Sequence, residues 1–299
     1  MSQKIQSDLK SAPFRIQTVD GVWIKGVVFT PLTPPKAVVL INPATGAKQS
    51  FYRPFGEYLV KNGFAVCLWD YRGMGESAPE SLVDCNYWMH DFGLKDIPRV
   101  LSHLKESFPE LAVLVVGHSV GAQLMGLVPN NDLVRGLVAV ATSVGYAPYM
   151  PLSYRMKAKY FLNIFGPISI RLQGYVAAKK FGMMEDLPKN IFQEWKEWSA
   201  EPDYFFDSKF FGNTIPKGNY TSLNFPIQVI SATDDPISNE KAVQRFWSHV
   251  ISKEGIWFKI YRPEELKAKK IDHFGFFRKA FEPTIWADIA QHLHVFNQK

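Results

Sequence analysis

The chain has 299 residues, 46% hydrophobic and 21% charged, an ordinary globular composition with length enough for one large core or a core carrying an insertion. No apolar run approaches the roughly 18 residues of a membrane span. Residues 1–14 hold no leader-like apolar stretch, and Cys67 and Cys85 match no disulfide or zinc spacing, so a cytoplasmic protein without a metal is expected. The formal net charge of +6 arises in residues 145–184, which hold Arg155, Lys157, Lys159, Arg171, Lys179 and Lys180 and no carboxylate; elsewhere the charges balance, and no nucleic-acid partner is expected.

Residues 14–19 and 22–29 alternate apolar and polar side chains around Asp20-Gly21, which predicts a hairpin closed by a two-residue turn and ended by Pro31, Pro34 and Pro35. Residues 37–41 read as a short buried strand, the pattern through 51–59 as a helix capped by Gly63, and 64–69 as a second buried strand. A helix is predicted over 89–104, with Pro98 as a kink or break. A third apolar strand, 111–116, runs into the turn that carries Ser119, followed by a helix over 120–127 and a strand over 136–142. The alternation then stops, and 145–225 is aromatic-rich and helical in pattern. It resumes with a strand at 226–231, a helix at 239–250, a strand at 256–261 and a last helix at 284–296. Continuous apolar strands alternating with helices predict a mostly parallel sheet of about eight strands, covered by helices on both faces. Residues 1–144 and 226–299 would form this α/β core, and 145–225 a helical cap inserted into it.

Gly117-His118-Ser119-Val120-Gly121 lies between a strand and a helix, the setting of a G-x-S-x-G nucleophile elbow, in which glycines leave room for a turn that projects the serine hydroxyl above the sheet. A serine hydroxyl needs an imidazole as base, and the imidazole needs a carboxylate to hold its tautomer. In this chain order the acid follows the serine and the histidine comes last. His273 falls in the loop after strand 256–261, whereas His292 and His294 fall inside the last helix pattern. Residues 133–184 contain no Asp or Glu, so the acid must follow the strand at 226–231, as Asp235 or, alternatively, its neighbour Asp234. An oxyanion would take N–H groups from Val120 and from the loop after strand 37–41. Pro43 cannot donate, which leaves Ala44, the preferred residue, or Thr45.

Gly73-Met74-Gly75-Glu76-Ser77-Ala78 satisfies the dinucleotide fingerprint literally, but Pro79 and a polar stretch follow where a helix should open, so no nucleotide cofactor is expected.

The runs Asn42-Pro43-Ala44-Thr45-Gly46, Asp70-Tyr71-Arg72-Gly73-Met74-Gly75, the elbow, Trp195 and Trp198 before Pro202 and Tyr204, and His273-Phe274-Gly275-Phe276-Phe277-Arg278 together resemble a group of bacterial predicted α/β hydrolases. In the wider superfamily the chain is similar to monoacylglycerol lipases and to serine peptidases that remove N-terminal residues. The resemblance implies the α/β-hydrolase fold, hydrolysis without a cofactor and a cap over the site. The expectation is a serine hydrolase acting on a small-molecule acyl ester through an acyl-enzyme. A thioesterase or an aminopeptidase on the same triad is the alternative, and a non-catalytic ligand-binding protein is the reading from another class. The basic, aromatic cap is expected to pack on the core with a solvated basic face, with lining of an apolar acyl pocket or weak contact to an anionic membrane surface as its other uses, and the two tryptophans are expected to serve packing rather than a ligand cage. No oligomeric state is readable.

Overall fold

The computed structural model describes residues 9–298. Eight strands form one sheet: β1 (Leu9–Gln17), β2 (Trp23–Pro31), β3 (Val38–Asn42), β4 (Ala65–Trp69), β5 (Val113–His118), β6 (Val134–Val140), β7 (Ile227–Ala232) and β8 (Ile256–Tyr261), in the order β1-β2-β4-β3-β5-β6-β7-β8. β2 is antiparallel to β1 and to β4, and every other neighbouring pair is parallel. This is the α/β-hydrolase fold.

Side chains alternate across the pleat, so each buried strand feeds two cores. Val38 and Leu40 of β3 and Val113 and Val115 of β5 join the core under α2 (Ile97–Ser107), α3 (Val120–Gln123) and α7 (Glu240–Trp247). Val39, Ile41, Leu114 and Val116 join the opposite core, under α1 (Arg53–Lys61) and α9 (Ala287–Gln298). Strands with apolar residues at every position are what burial on both faces requires.

Some local expectations shift. The β1–β2 connection spans residues 18–22 rather than two residues: the Thr18 hydroxyl bonds Asp20 Oδ1 at 2.6 Å and accepts the Val22 amide at 3.0 Å, which closes a wider loop by side-chain bonding. Pro98 lies in the first turn of α2, where its missing N–H costs nothing, and the irregularity is a π-turn before it, Phe92–Asp96. The helix after Ser119 is short and tightens into a 3-10 turn over Leu124–Leu127. β8 is largely exposed as the sheet edge.

Between β6 and β7 the chain forms α4 (Leu152–Tyr160), a π-turn (Phe161–Phe165), α5 (Gly166–Gln173) and α6 (Lys189–Trp198). α6 seats Ile191, Phe192 and Trp198 in the core beneath, whereas α4 buries no residue. No helix among the described residues is long and apolar enough to cross a membrane.

The chain leaves β3 toward β4 on one side and β5 toward β6 on the other. The loops after β3 and β5 therefore diverge, opening a crevice at the carboxyl edge of the sheet.

Candidate active site

Ser119 follows β5 directly and has φ 53° and ψ −117°, a conformation that L-residues rarely adopt. The turn closes only because its glycines lack a Cβ: one on Gly117 would meet Ala122 N at 2.6 Å, and one on Gly121 would meet the Asn42 carbonyl oxygen at 2.4 Å. Asn42 completes this joint by donating from Nδ2 to Gly121 O at 3.0 Å and accepting from Trp69 Nε1 at 3.2 Å.

The loop after β7 presents two adjacent carboxylates with separate partners. Asp235 Oδ2 lies 2.8 Å from His273 Nδ1, and Asp235 Oδ1 accepts the amides of Ile237 and Ser238 at 2.8 and 2.9 Å. Both Asp235 and His273 are buried. Asp234 Oδ2 instead accepts the amides of Ile271 and Asp272 at 2.8 and 3.1 Å, anchoring the backbone just before His273. That backbone is strained, with Asp272 at φ 53°. His292 and His294 lie on α9, where His292 approaches Asp288 and His294 packs on Phe64.

His118, the variable residue of the elbow, is fully buried and spans three loops. Its Nε2 is 2.9 Å from the His273 carbonyl oxygen and its Nδ1 is 2.7 Å from the Tyr52 hydroxyl. A carbonyl can only accept, so Nε2 carries the proton and Nδ1 accepts from Tyr52. Burial, with His273 alongside, pushes His118 well below the ordinary imidazole value and keeps it neutral. The Tyr52 oxygen in turn accepts the Ala44 N–H at 2.9 Å. Ala44 lines the site, and its amide is engaged by Tyr52. The Thr45 N–H, the alternative, has no acceptor among the described residues.

Ala44, Thr45, Ser119 and His273 line one cavity of about 660 Å³, walled by apolar groups that include Met150, Leu162, Met184 and Trp195. Among the described residues no carboxylate lines it, and Lys157 stands at its wall.

The model of the family described as serine aminopeptidase, S33, matches residues 33–200, more than half of the chain. The chain belongs to this family.

Two relatives of this hydrolase carry monoglyceride lipase names. A monoglyceride lipase homolog of Monkeypox virus is 26% identical over 130 residues, 42% of this chain and 45% of that protein. Human monoglyceride lipase is 24% identical over 150 residues, 50% of this chain and 48% of that protein. The matches thus span about half the length of either relative. Among solved structures, a soluble variant of monoglyceride lipase from Saccharomyces cerevisiae superposes with a TM-score of 0.65 at 15% identity, over 98% of this chain and 97% of that one. A Pyrococcus furiosus esterase gives 0.63 at 16%, over 96% and 91%. Both share its α/β-hydrolase fold.

Three acidic residues of the hydrolase's β6–β7 segment are engaged away from the cavity. Glu194 takes His90 Nδ1 at 2.6 Å, Glu185 takes Lys179 at 3.0 Å, and Asp203 takes Arg245 and His249. Trp198 packs against Tyr204 and Phe205, and Trp195 packs on the core and against Phe161 while also lining the cavity. Sequence reasoning missed Tyr52, His118 and Asn42. The signal for His118 was an imidazole inside the elbow itself, flanked by a glycine and the serine.

Proposed function

We propose that the protein is a serine hydrolase that cleaves a carboxylic ester of an apolar acyl group through an acyl-enzyme, with the β6–β7 segment as its cap. The observation that carries this reading is the cavity wall. A peptidase selecting a free amino terminus must desolvate a cation, and that is costly without a carboxylate in contact. None lines this cavity among the described residues, whereas an acyl chain is matched by its methionine, aromatic and leucine side chains. The likeness to proteins named monoglyceride lipases supports the same choice.

In this mechanism Ser119 Oγ attacks the ester carbonyl carbon while His273 takes its proton at Nε2. Asp235, bonded at Nδ1, holds the tautomer and stabilises the imidazolium. The amides of Val120 and Thr45 receive the oxyanion. The alcohol leaves with the proton from His273, and water repeats the sequence on the acyl-enzyme to free Ser119. No step asks for a cofactor.

The test is Ser119→Ala. Turnover of a nitrophenyl acyl ester should fall roughly 10⁶-fold and fluorophosphonate labelling should vanish; retained turnover by the pure variant overturns the assignment. Failure of the wild type to label would make the protein a non-catalytic binder. Faster turnover of aminoacyl amides or thioesters than of esters would replace the ester with those substrates on the same residues.

A further inference from the structure

We propose that the outer face of α4, the π-turn and α5 docks on an anionic lipid surface, and that substrate enters the cavity from that surface. The second half of this statement rests on the ester-hydrolase reading; the docking does not.

Leu152, Met156, Tyr160, Ile164, Ile168 and Leu172 recur every fourth residue along this helical stretch and are each between 49% and 75% exposed. Single exposed apolar side chains are ordinary on a protein surface, but a continuous row of large ones is not. In an unbroken α-helix a four-residue step advances about 40°, so five steps would wind the row about 200° round the axis and scatter it. The π-turn at Phe161–Phe165 inserts about one extra residue, setting the phase back about 100°. The row therefore stays within a sector of about 100°, the width of the apolar stripe of an amphipathic helix. α4 buries none of its residues, so this apolar surface contributes nothing to the core.

The charge beside the row selects the occupant. Lys157, Lys159, Arg171 and Lys180 have no carboxylate within ion-pair distance among the described residues, and Arg155 bonds only the carbonyls of Pro148 and Met150. The nearby carboxylates are engaged elsewhere: Glu185 holds Lys179 and Lys48, and Asp186 accepts the Lys179 amide. An apolar stripe flanked by uncompensated cations fits the boundary of an anionic bilayer, where cations near the surface add electrostatic attraction to the burial of the apolar side chains. Met156, Lys157 and Tyr160 also line the cavity, so the row runs to its mouth. A seated molecule would open its acyl cavity onto the lipid.

Co-sedimentation of the full chain with mixed phosphatidylglycerol and phosphatidylcholine vesicles tests this, using the Ile168→Gln/Leu172→Gln and Lys159→Gln/Arg171→Gln double variants, none of which touches the cavity. The wild type should partition onto these vesicles in a salt-sensitive manner and bind pure phosphatidylcholine weakly. Each double variant should lose about tenfold or more in partitioning while keeping wild-type thermal unfolding and turnover of a short, water-soluble nitrophenyl ester. Absence of wild-type partitioning, or equal partitioning of wild type and variants, overturns the docking. Equal binding to pure phosphatidylcholine overturns the anionic surface. Partitioning without any ester turnover leaves the docking standing and defeats the hydrolase reading; turnover without partitioning does the reverse.

Discussion

The Tyr52 hydroxyl lies 2.7 Å from His118 Nδ1, and this contact joins the loop after β3 to the elbow after β5. Because His118 also donates to the His273 carbonyl and Tyr52 accepts the Ala44 amide, one buried imidazole sets the relative positions of three loops. Tyr52→Phe keeps the ring and removes the bridge, leaving the Ala44 amide and His118 Nδ1 unpaired in a dry site. Urea unfolding should show a loss of about 1–3 kcal/mol, with kcat for a nitrophenyl ester falling while fluorophosphonate labelling persists at a reduced rate.

The adjacent aspartates should separate cleanly. Asp235→Asn keeps the shape of the site but loses the carboxylate that holds the His273 tautomer, and kcat should fall roughly 10⁴-fold with the fold intact. Asp234→Ala frees the backbone at Ile271 and Asp272 without touching the imidazole, so kcat should fall about 10²-fold or less and the thermal midpoint should drop. Equal kinetic losses from the two variants would contradict this division.

Gly121→Ala would push a methyl to 2.4 Å from the Asn42 carbonyl oxygen, backbone against backbone. Neither side can yield without displacing β3 or the elbow, so a loss at or beyond the upper end of the usual overpacking cost, about 3 kcal/mol, is expected in urea unfolding. Gly182→Ala is the contrast: it is strained by φ 66° but meets nothing within 4 Å, and should cost about 1–2 kcal/mol.

Asp20 makes a pH-dependent contribution. Partial burial works to raise its pKa, but hydrogen bonds from Arg72, Thr18 and Lys95 outweigh it and hold the carboxyl well below its ordinary value of 3.8. A carboxyl depressed in the folded state stabilises the fold fully above the unfolded value, and that stability is lost as pH falls through the folded value. Asp20→Asn should therefore be less stable than wild type at neutral pH, and the gap should close at acid pH below 3.8. Urea midpoints measured across that range check the sign.

The apolar runs were enough to read every strand of the parallel core, because burial on both faces favours near-continuous apolar residues along them, with Gln228 and Ser231 of β7 as buried polar exceptions. The elbow was equally legible, since its chemistry is a local spacing of glycine and serine. The exposed β8 was read only as a strand, its exposure being a property of having no neighbour beyond it.

Sequence alone therefore determined the alternation of the core, the place of Ser119 on it and the short set of residues able to join it, because these depend on covalent order and on period. Tertiary structure decided which of two neighbouring aspartates meets His273, that Tyr52 takes the Ala44 amide, that His118 reaches a carbonyl 155 residues away, and that α4 turns its apolar row outward. Those outcomes rest on directions of side chains and amides between segments remote in the chain, and such directions exist only once the segments have packed.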